Sequence, residues 1–118
     1  MSKSERKLPT RTVVIFAYDQ AQLLDVAGPA QAFAFANEEG AAAHYSVKVG
    51  ALVPGPVVTS SGLPVVAQAL PRSGSIDTLI VAGGPGVHDL CRDPDALAAL
   101  TRLCRRARRV CAVCTGAF

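Results

Sequence analysis

Runs of hydrophobic residues alternate with segments of helical spacing along most of the chain. Continuous apolar, β-branched runs at Thr12–Ala17 and Ile76–Ala82 predict strands that are buried on both faces of a sheet. The alternating segment His44–Leu52 predicts another strand, and Val110–Val113 a further one. Two short apolar runs around Ser60–Gly62 predict a hairpin or a small excursion. Strands separated by helical crossovers pair in parallel, so the pattern predicts an α/β fold with a mainly parallel sheet.

Two helices are predicted between these strands. The first covers Leu23–Gly40 and contains Pro29, whose ring clashes with the carbonyl of Asp25, so a kinked or late-starting helix is expected. The second begins at Asp93, a good N-cap residue, with Pro94 at the first helical position. Its end is rich in cations that suit the helix dipole and are expected to be solvated, namely Arg105, Arg106, Arg108 and Arg109.

Length and composition restrict the function classes. A chain of 118 residues, half of them hydrophobic, suits one domain with a sizeable core. The net charge of +3 is mild, and the scarcity of aromatic residues argues against stacking on single-stranded nucleic acid. The chain has no apolar run long enough to cross a membrane. Residues 1–11 are polar and lack a signal sequence, so they are predicted to be a flexible lead-in to a cytoplasmic domain over residues 12–118.

Four cysteines are present, and in a cytoplasmic protein they are expected to be thiols. Only one C-x-x-C occurs, between Cys111 and Cys114, and no second ligand pair follows, so no metal site is predicted. A thioredoxin-like pair is rejected because three strand steps separate the two residues by roughly 10 Å, beyond the reach of a disulfide. Cys111 within its strand and Cys104 on the apolar face of its helix are expected to be shielded.

Cys114 is the strongest candidate for chemistry. It ends an apolar strand, predicted to be central in the sheet, and Thr115 and Gly116 follow it. A nucleophile on such a sharp strand-to-helix turn projects into the crevice at the carboxyl end of the strand, where a helix start favours the thiolate. The alternative is a buried structural cysteine, and the local residues leave both open.

Two further segments are candidates for the same crevice. Gly83–Gly86 follows a buried strand, and its amides could form an oxyanion hole, although an ordinary turn between strand and helix is the alternative. The spacing does not fit a dinucleotide-binding fingerprint, and no cofactor is predicted. Asp25 lies among apolar residues and needs a partner, either a nearby thiol or amides freed near Pro29. His88, just past the glycines, is expected to be a solvated loop residue.

Three motifs together resemble the DJ-1/PfpI superfamily: LLDVAGP at residues 23–29, GGPG at residues 83–86, and VCTGAF at residues 113–118. Within it they are most similar to the amidase-like N-terminal domain of AraC-type (GlxA-like) transcriptional regulators, and isonitrile hydratases share them. The resemblance implies a flavodoxin-like parallel sheet sandwiched by helices, as in class I glutamine amidotransferases.

The resemblance also implies roles for individual residues. Cys114 matches the elbow cysteine of the superfamily, and Asp25 matches its acidic neighbour. Gly84 and the Thr115 amide match the oxyanion-hole positions, with Gly83 beside them. Thr115 also matches a position that is important in isonitrile hydratases. These residues are catalytic if the site is active, and otherwise line a ligand pocket.

The implied function is that of a ligand-sensing domain. Family members continue well past the elbow, and the regulators add a helix-turn-helix region, so the chain is expected to be a truncated, N-terminal part of such a protein. It would bind a small molecule, form a homodimer, and reach DNA only through the region outside this chain. The alternative is an isonitrile-hydratase-like lyase with Cys114 as nucleophile and Asp25 as general acid/base. Protease, amidase and glyoxalase-like activities are weaker alternatives.

Overall fold

The computed structural model describes residues 8–113 of the chain. The elements are, in chain order, β1 (Thr10–Phe16), α1 (Leu23–Glu38), β2 (His44–Ala51), β3 (Gly55–Val58), β4 (Pro64–Ala69), β5 (Ile76–Val81), α2 (Val87–Cys91), α3 (Pro94–Arg106) and β6 (Ala107–Ala112). Helices separate the parallel strands β1 and β2 and the parallel strands β5 and β6. Within this range no helix is long and apolar enough to span a membrane.

The described strands form one sheet in the order β3-β4-β2-β1-β5-β6. β1 pairs in parallel with β2 on one side and β5 on the other, and the β2–β4 and β5–β6 pairs are also parallel. Only β3 and β4 pair antiparallel, forming the hairpin predicted around Ser60–Gly62. The predicted α/β fold with a parallel sheet flanked by helices is confirmed.

The core is built on the two central strands. Val13, Val14 and Ile15 of β1 and Leu79 of β5 have no exposed surface. A strand covered on both faces needs a continuous apolar run rather than alternation, and both strands have one. These two strands therefore form a rigid base whose carboxyl ends carry the loops of the candidate site.

α1 runs without interruption from Leu23 to Glu38 and contains Pro29. The expected late start is wrong, because the helix begins at the first residue of the predicted segment. It ends at Glu38, shortly before Gly40, which has a φ of +78° that favours glycine. A bend at Pro29 stays a prediction.

α3 is capped as predicted, since the Asp93 carboxylate accepts hydrogen bonds from two backbone amides of its first turn. The helix nevertheless ends at Arg106, earlier than its arginine-rich sequence indicates. Arg108 and Arg109 lie on β6 instead of at the helix end, because the backbone becomes extended at Ala107.

Three expectations about the cysteines and their strand are wrong. β6 forms the edge of the sheet over the described residues, because β5 pairs with it on one side only. Cys111 is consequently exposed rather than shielded. Cys104 is also exposed, because α3 buries the face carrying Ala99 and Leu103, and the next residue lies about 100° further round the helix.

The carboxylate of Asp77, near the start of β5, is in contact with three arginines. It accepts a hydrogen bond from Arg108 Nε at 2.8 Å and lies 3.5 Å from Arg109 Nη2 and 3.6 Å from Arg11 Nη1. The Thr78 hydroxyl donates a further bond at 2.8 Å. The Arg108 bond lowers the pKa of the Asp77 carboxyl below its ordinary 3.8, against the opposing effect of partial burial. This cluster ties β6 to β5 at the amino ends of the strands.

Replacing Asp77 by Asn should reduce the free energy of unfolding by about 1 kcal/mol near pH 7, because charge-assisted bonds to half-exposed arginines are lost. A carboxyl with a lowered folded pKa stabilises the fold above its unfolded pKa, and this contribution is lost as pH falls through the folded value. The difference between wild type and Asp77→Asn, measured by urea unfolding, should therefore shrink below about pH 4. Asp89→Asn, at a carboxylate that is 93% exposed, is the matched control and should change little. Equal effects of the two variants would contradict this role.

Candidate functional site

Three loops meet at the carboxyl edge of the central strands. They are the loop after β1 (residues 17–22), the turn between β3 and β4 (residues 59–63) and the loop after β5 (residues 82–86). Backbone bonds join the first two loops, from Gln20 N to Val58 O and from Ser60 N to Ala21 O, both at 2.9 Å. The crevice outside the carboxyl ends of parallel strands is the usual position of a binding site in an open α/β sheet.

Asp25 and Gly83 are brought together at this edge. The buried Asp25 carboxylate, in the first turn of α1, accepts a hydrogen bond from Gly83 N at 2.9 Å, across 58 residues of chain. In return, Gln22 N donates to Gly83 O at 2.8 Å. The start of α1 thus holds both polar groups of Gly83. One partner of Asp25 is therefore this amide, which is far from Pro29 in the sequence; the predicted thiol partner lies outside the described residues and stays a prediction.

The glycines after β5 are required by the approach of the loop after β1. Gly84 has a φ of +129°, and a Cβ there would lie 2.5 Å from Gln22 N. A Cβ on Gly86 would overlap the Asp19 carbonyl oxygen, and Gly86 N donates to Gln20 O at 3.1 Å. Gly84 and Gly86, which belong to the predicted oxyanion-hole segment, therefore pack directly against the backbone of the loop after β1.

The predicted oxyanion-hole glycines differ in what they contact. The Gly83 amide donates to Asp25, so in this structure Gly83 positions the carboxylate. Gly84 is half-buried beside it, and its predicted role toward a ligand stays a prediction.

β6 ends next to β5, with Val113 N donating to Val81 O at 3.1 Å. Cys114 and Thr115 lie outside the described residues, so their predicted roles stay predictions.

Sequence reasoning missed two residues that shape this edge. The buried Tyr18 hydroxyl donates to Ala82 O at 2.6 Å, which joins the loops after β1 and β5 a second time. A tyrosine directly after a buried strand was a usable signal, because a buried hydroxyl needs a partner. Gln20 adopts a φ of +64°, and glutamine gives no sequence signal for that conformation.

Two other candidates lie on the short helix that follows the loop after β5. His88 is exposed as predicted, but it lies on the short helix α2 rather than in a loop. Cys91 ends the same helix and is exposed.

Residues 11–118 match the DJ-1/PfpI family over nearly the whole chain. The chain belongs to this family. The match includes the segments that carry Asp25, Gly83 and Cys114, and the family resemblance inferred from those motifs is confirmed at this level.

Similar proteins include one from a curated set and several of known structure. An uncharacterized protein in the cpoL 5' region of Streptomyces lividans is 39% identical over 107 residues, covering 90% of this chain and 74% of that protein. The crystal structure of a ThiJ/PfpI family protein from Pseudomonas syringae superposes with a TM-score of 0.75 at 22% identity, covering 99% of this chain and 48% of that one. An AraC family transcriptional regulator from Pseudomonas putida superposes with a TM-score of 0.53 at 17% identity, covering 85% and 80%.

These structural similarities establish the fold of this DJ-1/PfpI chain. The chain spans about half the length of the Pseudomonas syringae protein, so activities of longer family members apply to it only as proposals.

Truncating the Asp25 side chain should destabilise this DJ-1/PfpI domain. Asp25→Ala leaves the buried Gly83 amide without an acceptor, which costs about 1–3 kcal/mol. Asp25→Asn keeps an acceptor oxygen and should cost less. Urea unfolding provides the measurement, and Asp19→Ala, at an exposed carboxylate on the neighbouring loop, is the matched control. An Asp25→Ala variant as stable as that control would show that the bond to Gly83 contributes nothing to the fold.

Proposed function

We propose that this chain is the ligand-sensing domain of an AraC-type (GlxA-like) transcriptional regulator. Its small-molecule pocket is the crevice at the carboxyl edge of β1 and β5, near Asp25 and Gly84, with Cys114 and Thr115 completing it. The single observation that carries this proposal is the Asp25–Gly83 bond, which holds a buried carboxylate at the position where α/β sheets bind ligands.

The arrangement of Asp25 supports a sensing role because the carboxylate links two loops of the proposed pocket. One of its oxygens already accepts a hydrogen bond from the Gly83 amide, so the carboxylate is positioned by the loop that a ligand would meet. A ligand contact on Gly84 would therefore act on both loops through Asp25 and Gln22. The fold shared with an AraC family regulator over 85% of this chain supports the same assignment.

The remainder of the proposal concerns partners. DNA contacts would be made by a helix-turn-helix region outside this chain, and the regulator would act in the cytoplasm as a homodimer. The described helices support that division, because each packs within the α/β fold and no pair of them is arranged as a helix-turn-helix over residues 8–113.

Footprinting and turnover distinguish a regulator from a lyase. The full-length gene product should protect a defined DNA site, whereas residues 1–118 alone should bind DNA weakly and lose that binding with salt. Neither the full-length protein nor residues 1–118 should hydrate an aliphatic isonitrile to its N-alkylformamide faster than the corresponding Cys114→Ala variant does. Turnover that requires Cys114, without a footprint, would replace this proposal by the isonitrile-hydratase-like alternative. A footprint made by residues 1–118 alone would contradict the assignment of DNA binding to another region.

Cys114 should react with iodoacetamide at lower pH than the other three thiols. Cys91, Cys104 and Cys111 are all exposed, so accessibility alone does not protect them, and thiolate character must make the difference. Peptide mass spectrometry between about pH 5 and pH 9 should show Cys114 labelled first, and already near neutral pH. Asp25→Asn should change the Cys114 rate, whereas the matched control Asp89→Asn, at an exposed carboxylate on α2, should not. Earlier labelling of Cys91, with no effect of Asp25→Asn, would contradict a crevice thiolate.

A further inference from the structure

A second concavity lies between α3 and the segment that follows β4. It has a volume of about 670 Å³, within the range of small-molecule sites. Leu52, Leu70 and Leu103 supply much of an apolar lining, and Asp25, Gly83 and Gly84 contribute nothing to it. Because its lining shares none of these site residues, the cavity is distinct from the crevice at the carboxyl edge. We call it the α3 cavity.

Four arginines also line the α3 cavity, namely Arg72, Arg102, Arg105 and Arg106. Among the described residues, none of the four forms an ion pair. The arginines that do have carboxylate partners belong to the Asp77 cluster or to the exposed pair of Arg92 and Asp89. The helix dipole accounts for cations at the end of α3, but not for Arg72, which approaches from the other wall. The α3 cavity is therefore positively charged, and no carboxylate of the described residues pairs with its four arginines.

Arg106 is held in place with one nitrogen unpaired. Its Nε donates to Gly74 O at 2.9 Å and its Nη1 donates to Pro71 O at 2.6 Å. Its Nη2 is buried and has no hydrogen-bond partner within residues 8–113. A buried guanidinium nitrogen without an acceptor is costly, because such groups are normally satisfied in native structures. Because this nitrogen is enclosed by the protein, an anion in the cavity would meet the exposed guanidinium groups of Arg102 and Arg105 instead.

We propose that the α3 cavity binds a small organic carboxylate with an apolar body. The planar fork of a guanidinium matches a carboxylate, and Arg102 and Arg105 offer such forks beside the positive charge of Arg106, which two backbone carbonyls hold in place. Arg102 and Arg105 are exposed and free to close on the same head group. The leucines would bury the apolar body of the ligand. This site is independent of Cys114 and does not rest on the proposed sensing function.

Octanoate is a suitable probe of the α3 cavity. Two compounds serve as comparisons: 1-octanol has the apolar chain without the charge, and acetate has the carboxylate without the chain. Isothermal titration of the protein should show octanoate binding roughly tenfold or more tighter than either comparison compound, since the charge-assisted bonds and the apolar contact are both needed. Binding of 1-octanol as tight as that of octanoate would reduce the α3 cavity to an apolar groove. Absence of octanoate binding would overturn the proposal.

Variants locate the binding. Arg102→Gln with Arg105→Gln should weaken octanoate binding roughly tenfold, because two head-group contacts are lost. Arg92→Gln, an exposed arginine outside the cavity, is the matched control and should leave the affinity unchanged. The double variant should fold normally, since neither side chain has a described structural partner, and urea unfolding checks this. An unchanged affinity in the double variant would overturn the proposal.

Two more variants separate this site from alternatives. Ala69→Phe places a ring in the cavity from an exposed position and should block octanoate without repacking the core. Asp25→Asn should leave octanoate binding intact, because Asp25 belongs to the crevice. Loss of binding in Asp25→Asn together with full binding in Ala69→Phe would place octanoate in the crevice and overturn the assignment. That outcome would leave the proposed sensing function untouched.

Discussion

The bond between the Asp25 carboxylate and the Gly83 amide is the constraint on which the candidate site depends. It joins the first turn of α1 to the loop after β5, and the return bond from Gln22 to the Gly83 carbonyl closes the connection. A buried carboxylate is tolerated only when it is hydrogen-bonded, so the position of α1 and the conformation of the loop are specified together. Any ligand that moves one loop therefore acts on the other.

This link requires an unusually close approach of two backbones. Gly84 and Gly86 permit that approach, since a Cβ at either position would overlap the loop after β1. The rigid pair β1 and β5 presents both loops at one edge, because the two strands are parallel and buried. β6 lies parallel to β5 at the same edge, and Cys114 follows it in the sequence after Val113.

The arginines of this chain fall into two physically different groups. Those around Asp77 are compensated, and they attach β6 to the sheet through an ionised carboxylate. Those around the α3 cavity are uncompensated over the described residues, and Arg106 contributes a buried nitrogen without an acceptor. The first group stabilises the fold, and the second is the basis for the proposed carboxylate site. The number of charges in the sequence does not distinguish the two groups of arginines. Which arginines are neutralised depends on the position of Asp77 in the folded structure.

The amino-acid pattern by itself determined the parallel α/β fold, the hairpin around Ser60–Gly62 and the cap at Asp93, because burial on both faces, turn chemistry and capping are local properties. It also indicated that Asp25 needs a partner, without identifying one. Tertiary structure alone decided that Gly83 is a partner of Asp25, that β6 is an edge strand among the described residues, and that Cys104 faces outward. Each of these outcomes depends on strand order or on contacts between distant residues, which periodicity within a short segment does not encode.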